Sequence, residues 1–135
     1  RSHMRDREMP MFIELDTGQR EVSSFVAKAK LYDAYYKRGD VRERYQTFPV
    51  VLVVVWAPSV KAGEAGDRHR RRLADRRLAQ VMELIQAERD NAQVRWAFAR
   101  LDTIATEPWH LLGRDGTLKQ HNVFAQADGS DGGMT

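Results

Sequence analysis

Glu14 and Asp16 stand two residues apart in the stretch Met-Phe-Ile-Glu-Leu-Asp, residues 11–16. In an extended chain successive side chains alternate, so both carboxylates leave the same face. A few carboxylates together with waters are what Mg²⁺ takes as ligands. A metal held there can activate a water and stabilise a phosphoryl transition state. The same two acids are also what a solvated strand end carries, and the spacing alone leaves both readings open. Lys28 lies near the start of the helix that follows. Aimed back at the carboxylates, it would steady a water or a phosphate; aimed elsewhere, its stem covers apolar surface. Lys30 falls on a different helical face and is expected in solvent.

A second cluster is cationic. Arg68, Arg70, Arg71, Arg72, Arg76 and Arg77 crowd the start of a helix. Positive charge at a helix N-terminus opposes the macrodipole, so the cluster does not serve helix stability. It suits phosphate contacts, whose neutralisation releases counterions. The alternative is a solvated face paired internally to Asp67 and Asp75. Other chemistries find no support in the residues. His69, His110 and His121 lack metal-ligand spacing, no glycine-rich phosphate loop is present, and Gly-x-Ser-x-Gly is absent. With no cysteine in the chain, disulfides, thiolate zinc sites and cysteine nucleophiles are excluded.

The elements that must position these groups are legible in the pattern. Residues 11–16 alternate, with Met11, Ile13 and Leu15 opposite Phe12, Glu14 and Asp16. After the turn Thr17-Gly18-Gln19, Ser23 or Ser24 can cap a helix. Its apolar stripe is Val22, Phe25, Ala29, Tyr32 and Tyr36, and Gly39 ends it. Tyr32 and Tyr36 are expected in the core, and Tyr35, on the flank of Lys28, is the expected polar contact. Val50–Val55 is an uninterrupted apolar run, β-branched except at Leu52, the mark of a central strand buried on both faces. A Pro- and Gly-containing loop, 57–66, leads to a helix over about 70–88 with Leu73, Leu78, Val81, Met82 and Ile85 as its buried stripe. Residues 94–101 alternate as a third strand, Asp102–Glu107 reads as a helical turn stopped by Pro108, and Trp109–Leu112 as a last short strand.

The order β-α-β-α-β predicts an α/β fold, a small mostly parallel sheet with flanking helices. Ligands favour the carboxyl ends of such strands, where Glu14, Asp16 and Trp56 fall. The chain has 135 residues, which predicts one domain with a core of its own. Residues 1–4 read as a cloning scar, 5–120 as the domain, and 121–135, rich in Gly, Ser and Asp towards its end, as a disordered tail. With 22 basic and 19 acidic residues the net charge is +3, which permits a polyanionic partner. No signal peptide and no membrane-length apolar run are visible, so the expected setting is cytoplasmic, with no membrane partner.

Taken as an ordered set, these motifs resemble the replication-relaxation family of actinobacterial plasmids and other mobile elements. The family's strand reads Glu-x-Asp followed by a glycine, and its helix Lys-x-x-x-Tyr-x-x-Tyr-Tyr-x-x-Gly. Here these are Glu14, Asp16 and Gly18, then Lys28, Tyr32, Tyr35, Tyr36 and Gly39. Phe48-Pro49 with the valine run, and Leu101 to Pro108, resemble the family's later segments, so that the likeness spans most of residues 11–113. The strand-helix-strand is also similar to part of a restriction-endonuclease-like core. That core carries Glu-x-Lys where this chain has Glu14-x-Asp16, so Lys28 would supply the cation from the helix. The resemblance implies a C-terminal region preceded by a DNA-binding winged helix and a further acidic strand. It also implies a DNA-associated, nuclease-like function with Glu14 and Asp16 as metal ligands for Mg²⁺ and Lys28 as their catalytic partner. Arg68, Arg70, Arg71, Arg72, Arg76 and Arg77 would then hold the DNA backbone. The non-enzymatic alternative keeps the fold as a DNA-docking or homodimerisation module, with the carboxylates structural.

Overall fold

A computed structural model describes residues 10–56 and 63–123 of the chain. The expected scar at 1–4, the tail beyond 123 and most of the 57–66 loop lie outside the described residues. Strand β1 (Met11–Asp16) leads to helix α1 (Ser24–Arg38) and a short helix α2 (Asp40–Tyr45). Strand β2 (Val50–Val55), helix α3 (Gly63–Glu88) and strand β3 (Trp96–Arg100) follow. A 3₁₀ turn, Leu101–Thr103, then precedes a hairpin of β4 (Trp109–Leu112) and β5 (Leu118–His121).

The sheet has five strands in the order β1-β2-β3-β4-β5. β1 pairs with β2 and β2 with β3 in parallel. β3 with β4 and β4 with β5 are antiparallel. The expected mostly parallel sheet is therefore corrected to a mixed one. The β-α-β-α-β unit is present, and a hairpin extends it. That hairpin follows from connection length, because the short stretch between β3 and β4 allows only an antiparallel return, whereas a parallel one needs a crossover of a dozen residues or more.

Both long helices pack on one face of the sheet. Right-handed crossovers between strands laid side by side in sequence order must fall on the same side. Phe25, Ala29 and Tyr32 of α1 and Ala74, Leu78, Val81 and Ile85 of α3 meet Val51, Val53, Val55, Trp96 and Phe98 in one core. The opposite face carries a smaller cluster of Leu52, Val54, Ala97, Ala99 and Trp109. β2 is central as its composition predicts: Val51, Val53 and Val55 are fully buried under the helices, and Leu52 and Val54 lie buried on the other face. β1 is an edge strand among the described residues, with Ile13 and Leu15 each 62% exposed.

Several elements begin or end away from where the residue pattern predicts. α3 begins at Gly63 rather than near Arg70, so the arginine cluster lies within the helix instead of at its first turn. Ala74 joins Leu78, Val81 and Ile85 in its buried stripe, while Leu73 and Met82 are half-buried. α2 was hidden by its lack of any buried residue. It becomes possible because Gly39 adopts φ +83°, a left-handed conformation that ends α1 and turns the chain into the next helix. β5 runs through His121.

Candidate functional site

Phe12, Glu14 and Asp16 point from β1 towards the helices, and the two acids take different partners. Lys28 and Tyr32 are one turn apart on α1, which puts them on the same column facing β1. The Lys28 ammonium lies 3.2 Å from Glu14 Oε1, and the Tyr32 hydroxyl donates a short hydrogen bond to Glu14 Oε2. Tyr32 is buried between Phe12, Tyr35 and Trp96. Burial first, and the hydrogen bond to the Glu14 carboxylate second, push its hydroxyl pKa well above the ordinary tyrosine value.

Asp16 is 5% exposed and is gripped by α3. Arg77 Nε donates to Asp16 Oδ2 at 2.7 Å and Arg77 Nη2 to Asp16 Oδ1 at 3.1 Å, the two-point geometry that a guanidinium and a carboxylate favour. The Gly18 amide adds a third donor to Oδ1 at 3.3 Å. Gly18 has φ +80°, and this left-handed turn folds its amide back onto the side chain two residues before it.

Glu14, Asp16 and Lys28 line one polar cavity of about 270 Å³, with Thr17, Arg20 and Ser24 on its rim. A second cavity of about 320 Å³ lies beside it across the Thr17–Gln19 turn, walled by Arg76, Arg77 and Gln80. The structure thus brings Glu14, Asp16, Lys28 and Arg77 together at the carboxyl end of β1. Tyr32, not Tyr35, makes the polar contact there; Tyr35 packs edge-on against Tyr32 with Arg38 over its ring.

The remaining arginines divide. Arg70 pairs with Asp67 at 3.2 Å and lies over the Trp56 ring. Arg68, Arg71, Arg72 and Arg76 are exposed, and none has an acidic partner among the described residues. Arg68, Arg72 and Arg76 recur every fourth residue and form one column on the outer side of α3. Asp75, the other expected internal partner, instead binds Arg100 at 2.7 Å, and Arg100 also grips Asp102.

As a set of donors for Mg²⁺ the pair does not fit as arranged. Both Asp16 oxygens and both Glu14 oxygens already face cationic or hydroxyl donors. A divalent ion there would sit beside an ammonium and a guanidinium, against a repulsion that rises as the dielectric falls. Among the described residues no group of three His, Asp or Glu side chains is placed to hold a metal. Nor is any helix among them long and apolar enough to cross a membrane.

Sequence reasoning singled out Arg77 as a phosphate contact and missed that it belongs to Asp16, a partner 61 positions away that no local spacing reveals. Tyr32 was assigned to the core alone; its four-residue spacing from Lys28 is the signal that both reach one acid. Comparison with protein-family models, curated proteins and solved structures finds no match to this chain.

Proposed function

We propose that this domain docks on the DNA backbone without cleaving it, as the nucleic-acid-binding part of a nuclease-like fold of the replication-relaxation type. The observation that carries this reading is the exposed column Arg68, Arg72 and Arg76, with Arg71 beside it, free of acidic partners among the described residues. Surface arginines without an acidic partner among the described residues, spread over about two helical turns, keep their charge for phosphates, and each phosphate they neutralise releases counterions. DNA is chosen over other polyanions on the strength of the resemblance in Glu14 to Gly39. The carboxylates then serve structure: Glu14 and Asp16 tie β1 to α1 and to α3.

The test is binding of duplex DNA, followed by fluorescence anisotropy over a range of salt in the presence of a chelator. Affinity should fall steeply with salt, and Arg72→Gln with Arg76→Gln should lower both the affinity and the salt slope. Binding that needs a divalent ion, or that ignores both substitutions, would sink the docking reading.

A second reading keeps Mg²⁺-dependent phosphodiester cleavage. It rests on the one cavity that Glu14, Asp16 and Lys28 share. It requires Arg77 to release Asp16 when the ion binds. Titration with Mn²⁺, followed by paramagnetic broadening of backbone resonances, separates the two. Broadening centred on Glu14 and Asp16 favours cleavage; an unperturbed β1 favours docking.

A further inference from the structure

A separate cluster lies at the other end of the sheet, by the amino ends of β2 and β3. Arg42 of α2, Arg95 just before β3 and Arg114 in the β4-β5 turn converge on a cavity of about 350 Å³. Gln46 and Gln93 add amide groups to its wall, and no aspartate or glutamate lines it. None of the three arginines has an ion-pair partner among the described residues. The three side chains are exposed, so solvent screens much of their mutual repulsion, and together they form a concentrated positive spot that an anion would answer.

Their local bonds orient them rather than neutralise them. Arg42 stacks over the Tyr36 ring, with 4.4 Å to the centroid, and its Nε donates to the Tyr36 carbonyl at 3.1 Å. Arg95 donates through one terminal nitrogen to the Phe48 carbonyl at 2.6 Å. Both contacts are to neutral acceptors, so the charge on each group is unanswered and its remaining N–H donors face the cavity or solvent. Gln46, in the cavity wall, closes α2 with φ +66°, the left-handed conformation in which helices commonly end, and this turn brings the chain back past Arg42 towards Phe48.

We propose that this cavity binds a phosphate group, held by Arg42, Arg95 and Arg114. Arginine suits this chemistry because its planar fork of donors matches phosphate oxygens. With Tyr36 already covered by Arg42 and packed against Phe48, 5.3 Å between centroids, no aromatic face is left for a base. Recognition is therefore of the phosphate itself, whether a terminal monoester or an internal diester of a strand. The site stands apart from the α3 arginines and does not depend on their binding DNA.

The experiment is an NMR titration of the whole chain with inorganic phosphate, observing backbone amides and arginine side-chain N–H resonances. Shifts should centre on Arg42, Gln46, Arg95 and Arg114. Arg114→Gln, at an exposed turn where the fold is not at stake, should weaken binding about tenfold, the loss expected for one charged hydrogen bond. Arg76→Gln should leave it unchanged. Oligonucleotides with and without a terminal phosphate then separate the sources: preference for the phosphorylated strand assigns a monoester, and equal binding that is lost in Arg114→Gln assigns backbone diesters. Shifts confined to α3, no shifts at all, or an affinity untouched by both Arg114→Gln and Arg42→Gln would overturn the proposal.

Discussion

Arg77 and Asp16, 61 residues apart in the chain, meet in a two-point ion pair that joins the middle of α3 to the last residue of β1. Both side chains are largely withdrawn from solvent, 12% and 5% exposed. Removing one partner strands the other charge in a poorly hydrated place, at a cost of roughly 3–5 kcal/mol. Asp16→Asn and Arg77→Met should each lower the unfolding free energy by that order, read as a lower denaturant midpoint at unchanged slope. The double replacement Asp16→Leu with Arg77→Met should recover much of the loss, because an apolar pair leaves no unpaired charge. Single variants that unfold like the parent chain would show that Asp16 is available for other ligands.

The Tyr32–Glu14 contact makes a prediction about alkaline pH. Burial and the neighbouring carboxylate favour the neutral phenol in the folded protein, so its pKa there lies above the value near 10 of an unfolded chain. The folded state then holds the proton more tightly. The stabilisation is fully present below about pH 10 and is lost as the pH rises beyond it. In a tyrosinate absorbance titration one of the four tyrosines should ionise last. Glu14→Gln should bring that late step down, and Tyr32→Phe should abolish it.

Asp33 is buried in α1 and accepts the Asp90 amide at 3.0 Å, tying α1 to the chain just beyond the end of α3. Asp33→Ala leaves that amide without its acceptor and should cost about 1–3 kcal/mol. Asp33→Asn, which keeps a carbonyl oxygen, should cost less. Thermal unfolding of the two variants checks the order.

On the outer face of β1, Ile13 and Leu15 are mostly exposed, so replacing both with threonine should change stability by no more than about 0.5 kcal/mol. An open strand edge with apolar side chains invites pairing with another chain. The double variant should therefore aggregate more slowly at high concentration, as light scattering would show.

For the arginine column, the salt dependence gives a count. Each phosphate contact contributes a slope of about −0.9 in a plot of log affinity against log salt on duplex DNA. Losing Arg72 and Arg76 together should flatten the slope by nearly twice that amount. An unchanged slope would place the DNA contact elsewhere.

By itself the sequence determined most of the local elements, though not α2 or β5. Alternation in residues 11–16, the valine-rich run of Val50–Val55 and the three-and-four spacing of Phe25, Ala29 and Tyr32 are all short-range patterns, because backbone geometry repeats every two residues in a strand and every 3.6 in a helix. The same periodicity placed Glu14 and Asp16 on one face and left open where Lys28 aims. What the tertiary structure alone decided was the company those acids keep. Arg77 reaches Asp16 only because both crossovers pass over the same side of the sheet and lay α3 beside the end of β1. The antiparallel hairpin, and the meeting of Arg42, Arg95 and Arg114 at the far end, depend likewise on how separate segments pack. Such contacts join residues with no fixed spacing, and periodicity carries no information about a partner whose distance along the chain is set by the fold.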